Sequence, residues 1–152
     1  MKTALFVGRF QPLHKGHEYA IKSLLKKFRL VIAIGSINKS NRDNPFSFIQ
    51  RKRMIDAVLK NYKEKYRVIA IPDLMSDNKW TKNIQKKVKF GVVVTGNTWT
   101  KRCFEDFTVI EQKLYEPKIY DASRIRRLIR EKKNWKKMIP RSVVPIIEKS
   151  FS

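Results

Sequence analysis

Five short apolar runs punctuate the chain, at residues 5–7, 30–34, 68–71, 92–95 and around 109–110. They are rich in β-branched residues and nearly continuous in hydrophobicity, the pattern of strands buried on both faces rather than on one. Between them the spacing changes to that of helices, near residues 16–28, 47–61, 78–88 and 98–105, with further helix at 122–132 and 142–149. Strand and helix in alternation predict an α/β fold, with about five parallel strands covered by helices on both faces. Ser47 and Gln50 form a capping-box pattern that opens the second helix. That helix is expected to turn Ile49, Met54, Ile55, Val58 and Leu59 inward, and the late helix to do the same with Ile125, Leu128 and Ile129. Pro140 and Pro145 break or start the terminal helices. With no internal repeat, low-complexity tract or linker, residues 1–152 are expected to form one domain.

The junction between the first strand and the first helix reads Gly8-Arg9-Phe10-Gln11-Pro12-Leu13-His14-Lys15-Gly16-His17. At the carboxyl end of a parallel strand, the free N–H groups and dipole of the following helix make a natural anion site. Gly8 lets backbone approach a ligand, Pro12 stiffens the turn, and Gly16 is expected to leave room beside His17. Neutral imidazoles donate to phosphate, and protonated ones add charge. Two histidines beside a turn are often no more than solvated loop residues. Here the glycines, the proline and Arg9 in a strand-to-helix setting favour phosphate binding by His14 and His17.

At these residues the chain resembles the nucleotidyltransferase superfamily, marked by a glycine, an aromatic, a proline and then His-x-Gly-His. Ser123-Arg124-Ile125-Arg126 matches a second mark of that superfamily, a Ser/Thr followed by an Ile-Arg pair. Asn44-Pro45-Phe46-Ser47 with Arg51, Ile71-Pro72-Asp73 with Asn78 and Trp80, and Thr95-Gly96-Asn97 narrow the likeness to the archaeal type of nicotinamide-mononucleotide adenylyltransferase. The chain carries Asp121-Ala122-Ser123-Arg124 where that family usually has Ser-Gly-Thr-Glu. The resemblance implies a single Rossmann-like nucleotidyltransferase domain whose last ~30 residues are helical and close over the ATP site. It implies adenylyl transfer from ATP to nicotinamide mononucleotide, giving NAD and pyrophosphate.

Such a reaction needs no general base, because the attacking phosphate is already anionic. The protein must align two repelling anions and stabilise charge on the transferred phosphorus and leaving group. The expected catalytic set is His14, His17 and Arg126, with His17 aimed at the α-phosphoryl oxygens. The expected ATP-binding set adds Gly8, Arg9, Phe10, Gly96, Asn97 and Ser123. For the mononucleotide, Trp80 is expected to stack on the pyridine ring and Asn78 to bond its carboxamide, with Asp73 at the strand end and Arg51 on the phosphate. Plainer readings stand beside these: Trp80 as a core anchor, Arg51 and Arg126 as surface arginines. Mg²⁺ would arrive with ATP, held by its phosphates and by no protein side chain, and no tightly bound organic cofactor is expected.

Charge widens the choice. Thirty-five Lys and Arg against thirteen Asp and Glu give a net charge of +22, which asks for anionic partners. Lys60, Lys63, Lys65, Lys132, Lys133, Lys136 and Lys137 have no special spacing and are expected on the surface. A basic nucleic-acid-binding module is therefore one rival, but no helix-turn-helix, zinc or RNA-binding aromatic pattern supports it, so nucleic acid is not the expected partner. The nearer rival is a related transferase that uses CTP or adenylylates phosphopantetheine. No apolar run reaches membrane-spanning length, and the stretch before Gly8 is too short to read as a signal peptide. Cys103 is the single cysteine and is expected to be a small buried residue in a reducing cytoplasm. The family resemblance also implies a homo-oligomer.

Overall fold

A computed structural model describes residues 1–151. The strands are β1 (Thr3–Gly8), β2 (Arg29–Ile34), β3 (Tyr66–Ala70), β4 (Val92–Thr95) and β5 (Thr108–Glu111). They form one sheet in the order β3-β2-β1-β4-β5, with every neighbouring pair parallel. The helices are α1 (Lys15–Leu25), α2 (Phe48–Val58), α3 (Asp77–Lys87), α4 (Thr98–Cys103), α5 (Ala122–Arg130) and α6 (Val144–Ser150). The expected Rossmann-like sheet with helices on both faces is thus observed. Among the described residues no helix is long and apolar enough to cross a membrane.

Side chains alternate across each strand, so the sheet feeds two cores. Ala4, Phe6, Leu30, Ile32, Ile34, Val92 and Val94 pack on the face that carries α1, α2, α5 and α6. Leu5, Val31, Ala33 and Val93 pack on the other face with Trp80 and Ile84 of α3 and with Phe104. The strand order reverses between β1 and β4, and in such sheets the carboxyl ends of the two central strands open a crevice.

The Ser47–Gln50 capping box is formed in both directions. Ile49, expected in the core, is 60% exposed instead. The buried stripe of α2 runs through Arg51, Met54, Ile55 and Val58. Ile49 lies two residues before Arg51, which on a helix is roughly 200° round the axis. An arginine holds the core position that hydrophobicity alone assigns to an isoleucine. Cys103 is half-buried rather than buried, and burial, with Asp77 nearby, raises its thiol pKa.

Candidate active site

The β1–α1 loop is held from three sides. Below it, the fully enclosed Arg51 donates to the carbonyls of Arg9 at 2.9 Å and Gly35 at 2.7 Å, and to that of Ser47 at 3.2 Å. Beside it, Gln11 and the backbone of Phe46 exchange two hydrogen bonds, of 3.0 and 2.9 Å. Above it, the Arg126 guanidinium donates to the Gln11 carbonyl at 2.9 Å and to the Ser123 hydroxyl at 3.2 Å. Phe10 takes a left-handed backbone with φ of 53°, a strained conformation for a residue with a side chain. Its ring tucks under Gly8, where any Cβ would lie 2.8 Å from it. A bulkier residue at position 8 would evict that ring.

His14 is the N-cap of α1. Its Nδ1 accepts from the backbone N–H groups of Gly16 and His17, while His17 Nδ1 accepts from the N–H of His14. The two histidines thus make a capping box, and their rings stack with centroids 3.7 Å apart. Burial lowers the pKa of both: His14 to about 4, with Asp121 pulling the other way, and His17 well below its ordinary value, reinforced by His14. Both rings are therefore neutral near pH 7. With each Nδ1 acting as an acceptor, the proton sits on Nε2, so each ring keeps one N–H donor. The room that Gly16 leaves is for His14, not His17: a Cβ there would lie 2.8 Å from His14 Cε1.

At the carboxyl ends of the strands a cleft of about 480 Å³ opens. Gly8, Arg9, Phe10 and Gln11 of the β1–α1 turn line it, with His17 of α1 and Arg126 of α5. Ser36, Asp73, Trp80 and Trp99 line it toward α3 and α4, with Gly96 and Asn97 after β4 completing the wall. Trp80 is 4% exposed and lies 4.6 Å from the Trp99 ring, centroid to centroid. It is a core anchor and a cleft wall at once.

Four expectations change on this geometry. Arg51 is neither a surface residue nor on the cleft wall; its donors are spent on loop carbonyls, and burial, then Arg9, lowers its pKa to about 10. Asn78 is exposed and faces a separate surface cleft with Thr81 and Lys82, because a residue two before Trp80 points roughly 200° away round α3. His14 sits behind His17 rather than on the wall. Ser123 also stays off the wall, its hydroxyl turned to Arg126. Arg126 is buried among exposed arginines, with a pKa lowered by burial and then by Arg9, which removes its surface reading.

Gln11, Ser36, Trp99 and Gln112 line the cleft without having been expected there. Gly35-Ser36 follows β2 as Arg9-Phe10 follows β1, so the strand-end argument applies equally to it. Trp99 stands two residues after Asn97, in the first turn of α4, directly after the strand end that the same argument already singles out.

The crevice at the strand-order reversal, with imidazole and guanidinium donors gathered over a helix N-terminus, defines a nucleotidyltransferase. The cytidylyltransferase-like family pattern matches residues 5–145. The chain belongs, within that class, to the nicotinamide-nucleotide adenylyltransferase family. It is 36% identical to the nicotinamide-nucleotide adenylyltransferase of Archaeoglobus fulgidus, over 95% of this chain and 90% of that one. It is also 36% identical to that of Methanococcus aeolicus, over 95% of this chain and 87% of the relative. In three dimensions it resembles a bifunctional NMN adenylyltransferase/ADP ribose pyrophosphatase of Francisella tularensis complexed with AMP and manganese ion. The TM-score is 0.78 at 23% identity, over 99% of this chain and 53% of that one, a likeness of fold.

Proposed function

We propose that the protein transfers the adenylyl group of ATP to nicotinamide mononucleotide, forming NAD and releasing pyrophosphate. The observation that carries this reading is that one cleft gathers phosphate donors, His17, Arg9 and Arg126, and two tryptophans, Trp80 and Trp99. Kinship with adenylyltransferases over nearly the whole chain supports it.

In this reading His17 donates its Nε2–H to the α-phosphoryl oxygens as negative charge grows there, and neutral His14 holds the His17 ring in place. A neutral donor suits the task, because it loses no proton to the phosphate it stabilises. Arg126 and Arg9 clamp the phosphates, with Arg126 pre-aimed by the Gln11 carbonyl so that little order is lost when ATP binds. Ser123 orients Arg126. Gly8, Phe10, Gly96 and Asn97 shape the nucleotide wall. Trp80 and Asp73 take the mononucleotide. The chain acts as one domain, with the residues from α5 onward closing over the triphosphate.

The charged wall residues are Arg9, Arg126 and Asp73, a set suited to binding phosphate rather than to caging a cation. Among the described residues no group of His, Cys, Asp and Glu is placed to hold a metal. A divalent cation, Mg²⁺ in this reading, fits as a companion of ATP held by its phosphates, where it would neutralise charge on the leaving pyrophosphate.

The test is pyrophosphate release by the purified protein with each nucleoside triphosphate and each candidate acceptor. Release is expected from ATP with nicotinamide mononucleotide. Release confined to CTP, or to ATP with phosphopantetheine, would refute the proposal.

A further inference from the structure

Two non-glycine residues with a left-handed backbone line the cleft, and one buried nitrogen stands behind both. Phe10 and Ser36 each have a φ of 53°. Phe10 lies in the turn after β1 and Ser36 in the turn after β2. A φ angle is the rotation that starts from the preceding peptide plane, so a group that holds that plane's carbonyl also holds the φ. The carbonyls preceding Phe10 and Ser36 are those of Arg9 and Gly35. Both accept from the same atom, Arg51 Nη1, at 2.9 and 2.7 Å.

The first turn of α2 places Arg51 for this contact. Its Nε–H donates to the Ser47 carbonyl at 3.2 Å, which ties the guanidinium to the N-cap of its own helix. The side chain is fully buried, and burial, then Arg9, lowers its pKa to about 10, so it stays charged at neutral pH. Two carbonyl oxygens drawn to one nitrogen carry like partial charge and would push apart without it. The bond to Gly35 is buried, where an unpaired carbonyl is costly, so the bridge is held closed. Other bonds pin the rest of both turns. Arg126 donates to the Gln11 carbonyl at 2.9 Å, and the Gly35 N–H donates to the Gly8 carbonyl at 2.9 Å. The Ser36 hydroxyl donates to the Asp73 carboxylate, 2.9 Å from one of its oxygens.

We propose that Arg51 is a positioning residue for the transfer: through one nitrogen it sets the spacing of the β1 and β2 turns, and so the alignment of the two substrates between them. The inference rests on the adenylyltransferase reading above and adds to it a residue that lies off the cleft wall. Within that reading the first turn carries Arg9, a phosphate clamp, and the second orients Asp73, which takes the mononucleotide. Each turn keeps its own contacts when the bridge is lost, but the two fall out of register. A misplacement of about 1 Å between reacting groups costs about 10²-fold in rate.

The experiment is steady-state pyrophosphate release with ATP and nicotinamide mononucleotide, for the unmodified protein, Arg51→Lys and Arg51→Met. Lysine keeps the charge but is one bond too short to span the same carbonyls, and methionine keeps the bulk without charge. Rates are taken at a temperature where circular dichroism shows each variant folded. In both, kcat is expected to fall by about 10–100-fold while the KM of each substrate changes less than about threefold. A residue that serves the fold alone would lower Tm and leave the kcat of folded protein unchanged. Should Arg51→Met not fold, Arg51→Lys decides. A kcat within twofold of the unmodified protein in a folded variant would overturn the inference and leave the adenylyltransferase reading intact. So would a loss carried by KM alone, or failure of both variants to fold, which would make the arginine a requirement of the fold. Absence of release by the unmodified protein would remove that reading and the inference with it.

Discussion

Neutral His14 ties the stability of the molecule to pH. Its folded pKa is about 4, against 6.5 for the free side chain, because burial penalises the charged form; Asp121 offsets only part of this. Between those values the unfolded chain binds the proton and the folded protein does not, so acid favours unfolding. The contribution is fully present above pH 6.5 and is lost as pH falls toward 4. Integrated over that window it amounts to about 2 kcal/mol by pH 5 and about 3 kcal/mol by pH 4. For a chain of this size that is a drop in Tm of roughly 4–8 °C between pH 7.5 and pH 5. His17 shifts in the same direction, and carboxylates titrate too, so the wild-type curve alone does not isolate His14. His14→Asn does, because asparagine is a good N-cap that accepts from the same backbone N–H groups but does not titrate in this range. Thermal melts of both proteins across pH 7.5 to 5 should show a shallower acid slope in the variant, whatever its Tm at neutral pH. Parallel curves would mean that His14 is not held neutral by burial, and the tautomer argument for the histidine pair would fall with it.

Three further outcomes are expected. His17→Ala should lower turnover by about 10²–10³, the usual loss for one charge-stabilising donor, while the KM for ATP moves much less; near-normal turnover would remove His17 from catalysis. Gly16→Ala places a Cβ 2.8 Å from His14 Cε1 and 3.2 Å from Tyr120 Cβ, so the change should cost stability and turnover together. Crowding of that kind typically costs about 1–3 kcal/mol, and a variant with wild-type Tm and turnover would refute the packing argument. If the net charge of +22 serves only nucleotides and solubility, binding of oligonucleotides in a filter or anisotropy assay should be weak and vanish as salt rises; tight sequence-selective binding at physiological salt would contradict this.

The layout of the sheet was legible because it is written in local periodicity. Each apolar run marks a strand, and parallel strands buried on both faces need no partner pattern to be recognised. The first half of the site was legible for a related reason: glycines, proline and histidines are crowded into one strand-to-helix turn, and that turn lies at the crevice. The errors came where hydrophobicity or proximity in sequence stood in for direction. Hydrophobicity assigns Ile49 to the core where Arg51 stands, and closeness in sequence assigns Asn78 to the ligand that Trp80 faces, although each pair is two residues apart on a helix and faces opposite ways.

What sequence could not reveal is how the loops are joined. Gln11 bonds to Phe46 and Arg9 to Asn44 across 35 positions, and Ser36 bonds to Asp73 across 37. Such pairs leave no periodic trace, because their partners sit on irregular segments where neither the 3.6 nor the 2.0 repeat applies. Yet they decide the roles. Sequence alone makes Arg51 a candidate phosphate ligand, but its donors go to the Arg9 and Gly35 carbonyls, so its charge lies against the loop rather than on the cleft wall. Those two carbonyls lie one residue past the ends of β1 and β2, adjacent strands of the sheet. An enclosed guanidinium with Nη2 unpaired, and no carboxylate bonded to it among the described residues, is a costly way to join two loops. It is consistent with a site built to receive anions, because a buried positive charge with no carboxylate bonded to it among the described residues still contributes potential at the cleft nearby. The same arginine therefore sets the loop's shape and adds to the field that the substrate phosphates meet.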